Sequence, residues 1–231
     1  MILDKELGNI TFEKSIKAKR MRINILSNGL KVILPKGFNE NDGMKFVEKV
    51  REKLRQRQSK IQHKNILISD EKPFQTLTFN VQVKKTARQD IFSTLKQGEL
   101  LIEYPDHLDY NDSAVQEYFW NSINYFLKKE AKRLLPHRTW ELADTFGFKF
   151  TDVKIQPSKT RWGSCNHKKN INLSYFLLLL PQHLIDYVIL HELCHTVEMN
   201  HSDKFWQLMD KVTNNQSKSF RHELKKYPIP R

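Results

Sequence analysis

The sequence of 231 residues contains little cysteine and no long hydrophobic run. Cys165 and Cys194 are its two cysteines, so a small secreted fold held by disulfides is excluded, and we expect a reducing, cytoplasmic setting. The longest apolar stretch, Phe176 to Pro181, is far shorter than the ~18 residues that cross a bilayer. The first residues lack the apolar region of a signal peptide. We therefore expect neither a membrane anchor nor a membrane partner.

Low-complexity tracts and internal repeats are also missing from the sequence. Hydrophobic residues make up 39% and aromatic residues 11% of the chain, which is typical of a folded protein rather than a disordered one. The length fits one large domain or two small ones.

Acidic residues are outnumbered: 39 Lys and Arg against 26 Asp and Glu give a net charge of +13, which favours anionic partners. The charge is even about Tyr110, with 21 basic and 14 acidic residues up to it, and 18 and 12 after it. One dense run, Lys49 to Lys64, holds seven basic residues on a predicted helix. It is either a solvated helix face or a surface that binds nucleotide or nucleic acid.

The first part of the sequence has the alternation of β-strands. ITFEKSI, MRINIL, QTLTFNVQV and GELLIEYP each alternate, and Asn28-Gly29 between MRINIL and KVILP predicts a β-hairpin. A helix is predicted between these pairs of strands, from about Asn39 to Gln62. We therefore predict a β-rich N-terminal subdomain with antiparallel hairpins over residues 1–110.

From Asn111 the pattern becomes mainly helical. A long amphipathic helix is predicted to break at Pro136, and a shorter one to end near Gly147. Two short strands, FTDVKIQ and NINLSYFL, flank a polar loop, and the last two predicted helices run from Pro181 to about Met199 and from Asp203 to about Val212. The fold class is thus α+β, with a catalytic half over residues 111–231.

The candidate chemistry lies in the sequence His191-Glu192-Leu193-Cys194-His195, an H-E-x-x-H pattern on a predicted helix. Residues four apart project from one helix face, so His191 and His195 can share a metal ion. Glu192 lies beside that face, where a general base takes a proton from an activated water. Because the surrounding helix is apolar nearly all round, a Zn²⁺ ion would satisfy these buried polar groups together.

A catalytic zinc commonly has three protein ligands, so a third is expected. His201 gives the spacing H-E-x-x-H-x5-H, and Asn200 in a left-handed conformation would end the helix just before it. Glu198 is the alternative ligand, or else a hydrogen-bond partner of the metal ligands.

The stretch from Lys159 to Trp206 resembles the YgjP-like zinc metallopeptidases, which are related in layout to the minigluzincins and the Wss1-like DNA-repair proteases. The resemblance rests on R-W-G-S-C at 161–165, H-E-L-C-H at 191–195, M-N-H-S at 199–202 and F-W at 205–206. The basic strand K-A-K-R-M-R-I and L-P-K-G extend it towards the N-terminus, and it is weakest between about Gln62 and Asp112.

This resemblance implies a zincin-like hydrolase that cuts peptides or proteins in the cytoplasm. It implies a zinc ion held by His191, His195 and His201, with Glu192 as base and proton shuttle. Arg161 and Trp162 are candidate substrate-binding residues because their segment adjoins a predicted strand; equally, Trp162 is a core anchor and Gly163 a bulge. Two further hypotheses remain: a metal-dependent nucleotide pyrophosphatase, and a protease that acts on DNA-bound proteins.

Overall fold

A computed structural model describes residues 2–26, 29–55, 67–72, 74–158 and 160–229. The chain has an α+β architecture and divides into two compact units, Met1–Leu67 and Ile68–Arg231. The predicted subdomain boundary at residue 110 falls inside the second unit, and the assignment of catalysis to residues 111–231 stays a prediction. Within the described ranges, every helix is too short or too polar to cross a bilayer.

The described part of the first unit contains a four-stranded sheet that packs against helical residues. Its strands are β1 (Ile2–Asp4), β2 (Gly8–Ser15), β3 (Arg22–Leu26) and β4 (Gly29–Pro35), in the spatial order β1-β2-β4-β3. The predicted hairpin is confirmed, because β3 and β4 pair antiparallel with Leu26 opposite Gly29; the turn residues 27 and 28 lie outside the described ranges. β2 and β4 pair in parallel, which the alternation did not predict.

Helix α1 spans Glu40–Lys49 and begins at a capping box formed by Asn39 and Asp42. Residues 51–55 are helical as well, and the rest of the predicted helix, up to Gln62, lies outside the described residues. A small core fills the space between helix and sheet. Its fully buried members are Ile10, Leu30, Val32, Leu34 and Val47.

The second unit opens with another four-stranded sheet. Its strands are β5 (Phe74–Gln75), β6 (Asn80–Thr86), β7 (Phe92–Lys96) and β8 (Glu99–Pro105), in the order β5-β6-β8-β7. The pairings repeat those of the first sheet: antiparallel, parallel, antiparallel. The two sheets therefore share one topology, a repeat that the sequence did not reveal.

Helix α2 follows and runs unbroken over Ser113–Phe146, so the predicted break at Pro136 is wrong. A buried stripe with helical spacing continues through the proline, from Ile123 and Leu127 to Leu135 and Leu142. Packing on both sides outweighs the lost hydrogen bond. The helix ends at Gly147, whose φ of 72° closes the last turn.

A three-stranded sheet and three helices complete the unit and carry the candidate site. The sheet contains β9 (Asp152–Gln156), β10 (Gly163–Cys165) and β11 (Asn170–Ser174) in the order β10-β11-β9. A 3₁₀ turn over Tyr175–Leu179 leads to helices α3 (Gln182–Cys194), α4 (Asp203–Val212) and α5 (Ser217–Leu224). The expected Asp203–Val212 helix is confirmed, whereas β10 falls where the sequence predicted a loop and α5 where no element was predicted.

Candidate active site

Helix α3 holds the H-E-x-x-H sequence in a buried position. Its apolar residues are buried on nearly all sides, as expected, and pack into the large core of the second unit. Arg138 of α2 forms two 2.8 Å hydrogen bonds to Asp186, which fix α3 to the long helix. His191 and Glu192 occupy the last turn, and His195 is the C-cap residue. The face that carries the two histidines is thus formed by the last turn and the C-cap of the helix.

The chain leaves the helix earlier than the sequence indicated. The helix ends at Cys194 rather than near Met199, and the hydroxyl of Thr196 donates to the carbonyl of Leu193 at 2.7 Å. Asn200 does not have the left-handed conformation predicted for it. Instead, tight turns follow the helix, and Val197 is exposed. This early exit lets the chain reverse and bring His201 back towards the helix.

Three imidazoles meet at this point. One nitrogen of each of His191, His195 and His201 lies within 4.8 Å of the others. The Nε2 atoms of His191 and His201 are 3.0 Å apart, and the ring centroids of the three lie 4.7–5.0 Å from one another. The structure therefore brings together the three histidines that the sequence proposed as metal ligands.

His195 is oriented by the backbone that follows it. Its Nδ1 lies 3.0 Å from the carbonyl oxygen of Glu198, which leaves Nε2 free to face the other two rings. The sequence proposed Glu198 as a rival ligand or as a hydrogen-bond partner. The contact that the structure gives it is made by its main chain, and the carboxylate is not part of the cluster.

Aromatic rings of α4 form a wall behind the histidines. Phe205 is fully buried and stacks on His195 with a centroid distance of 4.6 Å, and Trp206 stacks on His201 at 5.8 Å. The guanidinium of Arg221, on α5, lies 4.9 Å from the Trp206 ring. In the sequence, Phe205 and Trp206 contributed only to the family resemblance, and Arg221 carried no signal because it belongs to no motif.

Burial favours the neutral form of two of these histidines, His191 and His201. Burial, followed by the neighbouring His195 and His201, lowers the pKa of His191 to about 3. Burial also lowers the pKa of His201. Neutral imidazole is the form that coordinates a metal ion, and a set of three nitrogen donors suits zinc as well as copper, nickel and iron.

Glu192 lies beside the cluster and is almost completely enclosed, with 5% of its surface exposed. Its Oε2 atom is buried without a hydrogen-bond partner among the described residues. Burial raises the pKa of Glu192 to about 8, and the cation of Arg161 opposes that rise. A buried carboxyl oxygen with no partner is costly, so a cation and its water at the adjacent histidines fit this site well.

The last three residues of the R-W-G-S-C segment form β10 against Glu192. A Cβ atom on Gly163 would lie 2.6 Å from Oε1 and 2.7 Å from Cγ of Glu192, so only glycine permits this approach. The segment is a strand paired with β11, Gly163 opposite Leu173, and not a loop. The role of Gly163 is visible only in three dimensions.

An open cleft of about 430 Å³ runs along β10. Arg161 is exposed and lines it, together with Gly163 and Ser164, whereas Trp162 packs against the core of the unit. The two candidate substrate-binding residues thus face different environments, and Arg161 is the one at the cleft.

Comparison with known proteins extends this description. The family model described as YgjP-like, metallopeptidase domain, matches residues 19–227. No curated protein sequence matches the chain. Two solved structures are similar to parts of the chain. The metallopeptidase zymogen abylysin of Pyrococcus abyssi has 24% sequence identity and a TM-score of 0.36. The metallopeptidase zymogen jannalysin of Methanocaldococcus jannaschii has 22% sequence identity and a TM-score of 0.35. Each match covers 39% of this chain, and 90% and 92% of the respective structure.

Proposed function

The chain belongs to the YgjP-like metallopeptidase family, and on that premise we propose that it hydrolyses peptide bonds with a zinc ion held by three histidines. The proposed ligands are His191, His195 and His201, and the proposed general base is Glu192. The observation that carries the proposal is the convergence of three imidazole nitrogens beside a buried carboxylate with an unpartnered oxygen.

When bound, zinc would acidify a water molecule and polarise the scissile carbonyl. Glu192 then accepts a proton from the attacking water at Oε2 and passes it to the leaving amine. Gly163 keeps this carboxylate in place, because β10 packs directly against it. Arg161, at the cleft and electrostatically coupled to Glu192, is the proposed contact for a substrate carbonyl or carboxylate.

The metal assignment is tested by mass spectrometry of the purified protein. We expect about one zinc per chain in the wild type and little in His195→Ala or His201→Ala, since a site reduced to two ligands binds weakly. His183→Ala is the matched control, because His183 lies on the same helix but pairs with Glu223 at 3.0 Å. Full zinc in His201→Ala would remove His201 from the ligand set.

The reaction is tested with fluorogenic peptides, with Glu192→Gln as the inactive control. We expect this variant to keep its zinc and to lose activity by roughly 10²–10⁴-fold, the usual contribution of a general base. The family match favours the peptide bond over a phosphoanhydride. Nucleoside triphosphates are assayed in parallel: Glu192-dependent hydrolysis of these alone would establish the pyrophosphatase alternative instead.

A further inference from the structure

The positive charge of the chain is concentrated in the first unit. Residues 1–67 contain 16 basic and 7 acidic residues, and residues 68–231 contain 23 and 19. The first unit thus has a net charge of +9 in less than a third of the chain, and the second unit +4. The even division about Tyr110 hides this asymmetry because that boundary cuts through the second unit.

The basic run that is densest in sequence is partly neutralised. Arg51 bonds to Asp4 at 2.6 Å and also pairs with Glu48, and Arg55 lies 3.4 Å from Glu6. The run from residue 56 to Lys64 lies outside the described residues. The described part of the Lys49 to Lys64 run is therefore a weak candidate for a polyanion surface.

A different set of cations has no such partners. The segments 14–22 and 36–39 lie at one end of the first sheet, where β2 and β4 finish and β3 begins, and we call them the basic end. They contain six basic residues and no acidic one. All six are exposed, and none forms an ion pair with a described residue. The six are Lys14, Lys17, Lys19, Arg20, Arg22 and Lys36.

The acidic residues nearest in sequence are already engaged or lie on α1. Glu13 pairs with Lys31 across the sheet, and Asp42 bonds to the backbone of Asn39 in the capping box. Glu40 starts the helix. The cations of the basic end are therefore left to attract a partner from solution.

The basic end is an ordered surface. The backbone N–H of Ala18 donates to the carbonyl of Ser15 at 3.3 Å, and Ala18 itself is only 8% exposed. The N–H of Phe38 donates to the carbonyl of Pro35 at 3.2 Å. The same two segments also contain two exposed apolar residues, Ile16 at 92% and Phe38 at 43%.

The second sheet supplies an internal comparison, because it has the same topology. The equivalent segments, 85–92 and 106–109, contain two basic and three acidic residues. Arg88 lies 3.3 Å from Asp90, and the Nζ of Lys85 donates to the carbonyl oxygen of Asp106 at 3.3 Å. The topology does not require unpaired cations at this end, so their accumulation in the first unit is a specific feature of that unit.

We propose that the basic end of the first unit binds nucleic acid through the phosphate backbone. Lysine and arginine at neighbouring strand ends match a row of phosphates, and arginine can contact a phosphate through two hydrogen bonds. An anionic membrane fits less well, because two exposed apolar side chains provide little surface to insert. With about five phosphate contacts, affinity falls on the order of 10²–10³-fold between 50 and 200 mM salt.

The test is fluorescence anisotropy of the full chain with labelled duplex DNA and single-stranded RNA over a salt series. The variant Lys17→Glu/Lys19→Glu/Arg20→Glu removes half of the basic end. Its control, Lys128→Glu/Lys129→Glu/Lys132→Glu, makes the same charge change on exposed positions of α2. We expect a loss of affinity of roughly tenfold or more and a shallower salt dependence in the first variant, and about wild-type affinity in the control.

The milder variant Lys17→Gln/Arg20→Gln should weaken binding in the same direction, which guards against misfolding of the triple variant. Equal losses in the basic-end variant and the control would overturn the proposal, as would no binding at low salt. Binding to phosphatidylserine vesicles but to neither nucleic acid would replace it with a membrane surface.

Discussion

Replacing Gly163 with alanine tests how closely the strand β10 positions the proposed base. The added Cβ would lie 2.6–2.9 Å from three atoms of Glu192, where ordinary contacts are 3.4–4 Å. The backbone of Gly163 is not left-handed, so alanine introduces no strain apart from this collision. Either the strand or the carboxylate must therefore move by about 1 Å.

A displacement of this size is large for catalysis, because a misplacement of ~1 Å can lower a rate by about 10²-fold. We expect kcat/KM on a peptide substrate to fall by about that factor, which corresponds to about 2.7 kcal/mol of transition-state stabilisation. The three atoms nearest the added Cβ all belong to Glu192 and none to a histidine, so zinc content should remain at the wild-type level.

The measurement combines steady-state kinetics with metal analysis of the same preparation. Gly98→Ala is the control, because its Cβ would meet only the carbonyl oxygen of Thr78, at 3.7 Å. The positive φ of Gly98 makes this substitution strain the backbone and lower stability, but it leaves the geometry of the site unchanged. Wild-type kcat/KM in Gly163→Ala would refute the reasoning. It would mean that Glu192 has room to adjust and that its place is not set by this strand.

Three further predictions concern stability. His191 makes one pH-dependent contribution to the stability of the metal-free protein. Because burial lowers its pKa from 6.5 to about 3, the unfolded chain takes up a proton that the folded chain does not, so this contribution is present above pH 6.5 and falls by about 2 kcal/mol at pH 5. The raised pKa of Glu192 acts in the opposite sense over this range, so the quantity to measure is the difference in urea unfolding free energy between the wild type and His191→Phe at the two pH values. Pro136→Ala should raise stability by about 1–3 kcal/mol, since it restores a helix hydrogen bond in α2, and an unchanged melting temperature would contradict this. Arg138→Ala should lower the free energy of unfolding by about 1 kcal/mol, because it removes the two hydrogen bonds to Asp186, whose effect is reduced by partial exposure. Arg133 pairs with Glu130 of its own helix, so Arg133→Ala should lower stability less in the same thermal assay.

The part of the site that lies within one helix could be predicted from the sequence. The spacing of His191 and His195 fixes their common face once the segment is helical, and the buried character of α3 follows from its apolar residues. The position of His201 depends on a reversal of the chain. The sequence predicted that a left-handed Asn200 would end the helix, and this prediction is wrong. The helix ends earlier, at tight turns in which the hydroxyl of Thr196 donates to the carbonyl of Leu193.

Contacts between distant segments account for what the sequence did not predict. The closeness of Gly163 to Glu192 joins residues 29 positions apart, and Arg51 is neutralised by Asp4, 47 positions away. The predicted helix break at Pro136 was wrong for a similar reason. Packing of the apolar stripe stabilises α2 through the proline, and local helix propensity does not include that packing. The two sheets share a strand order, but no repeated sequence accompanies it. A strand order requires only that apolar and polar residues alternate along each strand.

The two sheets with one strand order have separate hydrophobic cores, and no residue belongs to both. A substitution that weakens one core need not weaken the other, so each copy can accept changes on its own surface. In one copy the sheet adjoins the long helix α2 within the core that also contains α3. The sheet of the first unit packs instead against α1, in a core of its own. Substitutions at the surface of the first unit can therefore change its charge without altering the core that contains α3.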